Sequence, residues 1–199
     1  MPTVIHRFDP PERFVCGTVG PVGQRTFFLQ ARSGSRVTSV ALEKEQVAVL
    51  AERIDALLDE VLRATGGDVP VPAVAPQELT DVAPLEQPIS EEFRVGTMTL
   101  SWDVDDQVLV LEAFPVSEAD SESADGDEAA VENAEDGADA PDPEEMLLVR
   151  IPGSHARAFA KRALSVVAAG RPPCQFCGGP LDPEGHLCPR ANGFRRVRR

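Results

Sequence analysis

The chain has 199 residues and a formal net charge of −14, and at this length it can bury a hydrophobic core without disulfide or metal staples. Its longest apolar runs are strand-sized, far short of the roughly 20 residues of a membrane span, and the opening MPTVIHRFDPPERF has no signal-peptide layout. The composition reads as a soluble, cytoplasmic protein with no membrane partner.

In chain order, TVIHRF is a candidate extra strand, followed by RFVCGTVG (13–20), which alternates and ends in Gly as a strand does. QRTFFLQAR (24–32) offers Phe and Thr to a pleated surface, and after the turn SGS comes a third strand, RVTSVAL (36–42). In EKEQVAVLAERIDALLDEVLRATGG, the residues Val47, Leu50, Ile54, Leu57, Leu58 and Val61 recur at steps of three and four. They predict one apolar helix face, stopped by Gly66-Gly67. Residues 68–90 carry five prolines and little periodicity, and read as a connection along the surface. FRVGTMTLSWD, QVLVLEAFPV and EMLLVRI are three further strands. PGSHARAFAKRALSVVAAG is a second helix, with Pro152 near its start and Gly170 past its end. Its apolar stripe is Ala156, Phe159, Ala160, Ala163 and Val167, with Arg157, Lys161 and Arg162 on the opposite side.

The order strand-strand-strand-helix thus occurs twice, with a faint echo in the residues. Phe14-x-Cys16-Gly17-Thr18 matches Phe93-x-Val95-Gly96-Thr97, and Leu29-Gln30-Ala31 matches Leu111-Glu112-Ala113. The expected fold is α+β. Two βββα units build one mostly antiparallel sheet of about six strands, with both helices on one face. This domain spans 1–170 and is followed by a metal-bound knuckle over 171–199.

Residues 117–145 hold thirteen Asp or Glu and neither Lys nor Arg, so the acidity belongs to one segment and the rest of the chain is close to neutral. With few apolar residues and strong self-repulsion, the segment reads as a disordered insertion between two strands. A hairpin tolerates it because closure entropy grows slowly with loop length. A solvating insertion is the plain reading, and a lure for a basic partner the sharper one.

The chemistry concentrates at the C-terminus, where Cys174, Cys177, His186 and Cys188 are the candidate ligands. The C-x-x-C pair lets two thiolates reach one ion, and the turn-rich GGPLDPEG lets the chain double back with His186-x-Cys188. Three soft thiolates favour Zn²⁺ over Fe²⁺. A filled Cys₃His set leaves no position for substrate, so the metal reads as structural. The alternatives are a free Cys188 with a solvated His186, or a thiol redox pair, although no βαβ context follows the motif.

CQFCGGPLDPEGHLCPRANGFRR, together with RFVCGTVG near the start, resembles an uncharacterised family of roughly 200-residue actinobacterial proteins of unknown function. The resemblance brings no activity with it. It implies that Cys174, Cys177, His186 and Cys188 belong together.

Other candidate sites have plainer alternatives. Ser154, His155 and Arg157 at a helix start could hold a phosphate, and with a pocket between sheet and helices they would suggest an enzyme acting on an anionic small molecule. Neither a phosphate loop nor a GxSxG elbow is present. Arg190, Arg195, Arg196, Arg198 and Arg199 could contact nucleic acid, but a partner-facing patch on another protein is the simpler reading. Cys16 reads as a core residue, His6 as structural, and Asp105-Asp106 as turn chemistry. The favoured function is a non-enzymatic binding or adaptor module with a structural zinc knuckle.

Overall fold

The computed structural model describes residues 3–21, 23–116, 145–169, 174–177, 188 and 190. The strands are β1 (Val4–Phe8), β2 (Arg13–Val19), β3 (Thr26–Ser33), β4 (Arg36–Leu42), β5 (Glu91–Asp103), β6 (Val108–Pro115) and β7 (Glu145–Pro152). The helices among the described residues are α1 (Lys44–Thr65) and α2 (Gly153–Ala168), with one 3-10 turn at Gln77–Leu79. All strands lie in one sheet of order β1-β7-β6-β5-β4-β3-β2.

The expectation of a mostly antiparallel, six-stranded sheet is corrected. The sheet has seven strands and is mixed, since β4 pairs with β5 and β1 with β7 in parallel, while the other four pairings are antiparallel. The cause is connectivity. Short turns impose antiparallel pairing on β2-β3, β3-β4 and β5-β6, and β6-β7 keeps the same hairpin order across the acidic run, whereas β4 reaches β5 through a helix and a long connection, as a parallel pair requires. β1 stands beside β7, the last strand of the second unit, just as β5 stands beside β4, the last strand of the first.

The residue echo holds for side but not for register. Cys16, Leu29, Ala31, Val95, Leu111 and Ala113 all belong to the core between sheet and helices. Phe14 lies opposite Ala31, however, whereas Ala113 lies opposite Met98 rather than Phe93. A bulge between Val95 and Met98 shifts β5 relative to β6. Gln46 of α1 satisfies backbone there, donating to the carbonyls of Val95 and Gly96 at 3.1 Å each. Its Oε1 also accepts the Glu43 N–H at 2.9 Å, fixing the start of the helix.

Both helices share the core cluster on one face of the sheet and pack against each other. On α1, Val47, Leu50, Ala51, Ile54, Leu58 and Val61 are buried and Leu57 partly so, as its periodicity predicts. Gly66 closes the helix in the left-handed region at φ 62°, where a side chain would be strained. On α2, the fully buried Ala156, Ala160 and Ala163 present no bulk, so the helices can approach closely. Phe159 stacks on Phe14 of β2, with ring centroids 4.5 Å apart.

Arg157 corrects the sequence reading of α2, which put it on the solvent side. It is only 5% exposed. Its guanidinium donates to Asp55 Oδ1 (2.8 Å) and Asp55 O (3.1 Å), to Asp59 Oδ1 and to Pro72 O (3.2 Å). A buried guanidinium is tolerable only when its donors are met, and these bonds tie α2 to α1 and to the connection after it.

The proline-rich connection also does more than cross the surface. Val71 reaches the main core. Leu85 and Ile89 pack on Val15, Phe28 and Ala41, which point to the other face of the sheet. Arg13 holds this segment through Asp81 (2.7 and 3.0 Å) and the carbonyls of Ala83 and Pro84. From α2, Arg162 holds Asp81 Oδ1 (2.7 Å) and the Ala83 carbonyl (2.7 Å), and donates to the Cys16 carbonyl of β2 at 2.8 Å. The Arg13 hydrogen bond keeps the Asp81 carboxyl below the ordinary carboxylate range.

Candidate metal centre

Cys174, Cys177 and Cys188 come together, with their sulfurs all within 4.8 Å of one another. Cys174 and Cys188 are buried and Cys177 is half-buried. The C-x-x-C segment is a turn, which brings residues three apart to one side. The Phe176 N–H points at Cys174 Sγ, 3.4 Å away. Backbone hydrogen bonds from Cys177 and then Phe176 hold the Cys174 thiol below its ordinary range, which favours the thiolate that a metal requires.

The spacing of the sulfurs tests the fit. Cys174 Sγ and Cys188 Sγ are 3.8 Å apart. A disulfide would need about 2.05 Å. Sulfurs at the corners of a tetrahedron with zinc–sulfur bonds of about 2.3 Å lie about 3.8 Å from each other. The thiolate set is therefore compatible with zinc. His186 lies outside the described residues, as do Arg195, Arg196, Arg198, Arg199 and residues 117–144 of the acidic run, whose last member, Glu145, opens β7. Arg190 folds back on the turn, donating to the Phe176 carbonyl at 3.3 Å, and the Phe176 ring beside it is 65% exposed.

The residues at the start of α2 part company. Ser154 Oγ lies 3.4 Å from His155 Nδ1, and His155 is exposed. Arg157 belongs to the α1 interface, with two carboxylates on it. A cleft of about 170 Å³ does open between β2, α2 and the connection. His155 lines it with Arg13, Phe14, Asp81, Phe159 and Arg162. Its two arginines are committed to Asp81 and to carbonyls of the connection, and neither Ser154 nor Arg157 lines it. Cys16 is fully buried, and that burial pushes its thiol up to about 12, the opposite of what a nucleophile needs.

Two further features had only faint signals in the sequence. Arg13 and Arg162 act as clamps on the connection, but their shared partner Asp81 lies 68 and 81 residues away. His6, Glu92 and Glu145 also meet, with ligand atoms within 4.8 Å of one another. They come from three separate strands.

The described residues thus form an α+β protein, a mixed seven-stranded sheet with two helices, and a trio of cysteines in the C-terminal segment. The chain belongs to the family described as "Protein of unknown function (DUF3090)", which it matches over residues 6–188. No curated protein and no solved structure matches it. No helix among the described residues is long and apolar enough to cross a membrane.

Proposed function

We propose that the cysteine trio is the core of a structural zinc site, completed by His186, and that it folds the C-terminal segment into a small rigid knob by which the protein docks onto a protein partner. The observation that carries this reading is the thiolate geometry, an inter-sulfur distance of 3.8 Å in a cluster of three soft donors. A fourth ligand closes the set and leaves no position for substrate, as in structural rather than catalytic zinc sites. So short a segment has too little core of its own to fold without metal. The exposed Phe176 with Arg190 beside it supports the docking role, because aromatic residues and arginine are enriched at interface centres.

Elemental analysis of purified protein is expected to find about one zinc per chain in the wild type. Cys177→Ser should lose it, with the far-UV circular dichroism of the sheet and helices unchanged. Docking is then tested by co-purification, in which Phe176→Ala should lose a partner that the wild type retains. Freshly reduced wild-type protein without metal would sink the zinc reading. A partner retained equally by Cys177→Ser and Phe176→Ala would sink the docking reading while leaving the metal standing.

A further inference from the structure

The second cluster is chemically distinct from the first and lies elsewhere in the fold. Glu92 and Glu145 sit at the beginnings of β5 and β7 and His6 at the middle of the short β1, and the three strands run in the same direction. His6 Nε2 is 2.6 Å from Glu145 Oε1, and these side chains are 18% and 28% exposed. Glu92 is exposed and has no ion pair or side-chain hydrogen bond among the described residues, although its carboxylate lies within 4.8 Å of both others. Two carboxylates held this close repel, and one imidazole offers a single proton between them. A divalent cation would satisfy both carboxylates at once, with the imidazole nitrogen as a third ligand.

We infer that His6, Glu92 and Glu145 form a second metal site, which takes a first-row divalent cation of the Mn²⁺ type. The donor set decides the class. Two carboxylate oxygens favour the harder cations, and the imidazole favours a first-row metal over Mg²⁺ or Ca²⁺. The thiolate cluster has the opposite preference, so each site would select its own ion. Three protein ligands leave coordination positions to water, unlike a closed four-ligand set. The location also gives the ion mechanical work. β1 is an edge strand of five residues paired only with β7, and Val4 and Ile5 are more than half exposed. An ion held by His6, Glu92 and Glu145 would fasten the middle of β1 to the starts of β7 and β5.

The test is a titration of the full-length chain with Mn²⁺, followed by the loss of the free-ion electron paramagnetic resonance signal. Excess Mg²⁺ is present to fill weak sites on the acidic run. One Mn²⁺ per chain is expected to bind, with nitrogen hyperfine coupling in the bound spectrum. Glu92→Gln and His6→Ala should each weaken binding at least about tenfold, the lower end of what even an outer-shell loss costs a metal site, and His6→Ala should abolish the coupling. Cys177→Ser should change neither. Glu92 is exposed, so its variant keeps the fold and remains informative if His6→Ala does not. Equal binding by wild type and Glu92→Gln, displacement of all Mn²⁺ by Mg²⁺, or no nitrogen coupling in the wild type would each overturn the assignment.

Discussion

The two βββα units present the same face to the helices and different faces to the other side. In the first, Gln30 between Leu29 and Ala31 is 2% exposed, and Leu85 and Ile89 of the connection cover Val15, Phe28 and Ala41. In the second, Glu112 between Leu111 and Ala113 is half-buried and accepts a hydrogen bond from Thr99 at 2.8 Å. Arg150 in the same unit gathers Asp9, Asp103 and Asp106. The common face follows from one requirement, that both helices lie on it. Among the described residues the other face has no shared occupant, so each unit met its own neighbour. The amide suits a sealed position, where donor and acceptor are both used, and the carboxylate suits a wetter one.

Exchanging those central residues should break the comparison most sharply. Gln30 Nε2 donates to Ser39 Oγ and to the Glu86 carbonyl at 3.1 Å each, while its Oε1 accepts the Glu86 N–H at 2.7 Å. Gln30→Glu keeps the acceptor, deletes both donors and sets a carboxylate oxygen against a carbonyl in a buried place. A loss of about 3 kcal/mol is expected, in line with an unsatisfied buried polar group that also carries charge. Glu112→Gln should stay within about 0.5 kcal/mol, as solvent-accessible substitutions do. Urea midpoints of the two variants check this. Equal losses would mean that the two outer faces are energetically alike.

The helix-side face was legible in the sequence, because a buried face imposes a period that reads locally, as Val47, Leu50, Ile54 and Leu58 show. Cys174 and Cys177 were legible for the same reason, since C-x-x-C sets its geometry within one turn, and Cys188 was legible through the turn-rich GGPLDPEG that precedes it. What escaped was set by long-range contact. The parallel joints depend on where a connection re-enters the sheet. Arg157 was assigned to water because charge usually is, and only the carboxylates of Asp55 and Asp59 on the neighbouring helix make its burial tolerable. The meeting of His6, Glu92 and Glu145 needed the strand order, in which β5, β7 and β1 begin at one end.

A smaller effect sharpens the contrast at the cover itself. Leu85 is 7% exposed, and Leu85→Ala should cost about 2 kcal/mol, at the lower end for a buried leucine because the connection can settle onto the sheet. Val110→Ala, on the side of β6 where Val110 is only half-buried among the described residues, should cost about 1 kcal/mol or less. Gly17 offers a second probe. A Cβ there would lie 2.6 Å from Leu85 Cγ, so Gly17→Ala overpacks the contact and should cost about 1–2 kcal/mol. Combining it with Leu85→Ala removes the clash, so the pair should couple by about 1 kcal/mol in a double-mutant cycle. Additive losses would show that Leu85 does not press on Gly17.

The smallest effect separates the units by acid. The Asp81 carboxyl is held below its ordinary range, first by the hydrogen bond from Arg13, and Asp103 is lowered by the Asp106 and Asp105 backbone N–H groups together with Arg150. A carboxyl lowered in the folded state contributes stability that is present above its unfolded pKa and is lost as pH falls through the folded value. Stability should therefore be flat from neutrality to about pH 5 and fall below about pH 4, where carboxylates of ordinary pKa titrate. Asp81→Asn should flatten that fall by loosening the cover of the first unit alone, and Asp103→Asn should act on the second. If Asp81→Asn kept the full acid slope, the carboxylate would be a spectator. The connection would then be held by Leu85 and by the carbonyls of Ala83 and Pro84 that the two arginines also reach.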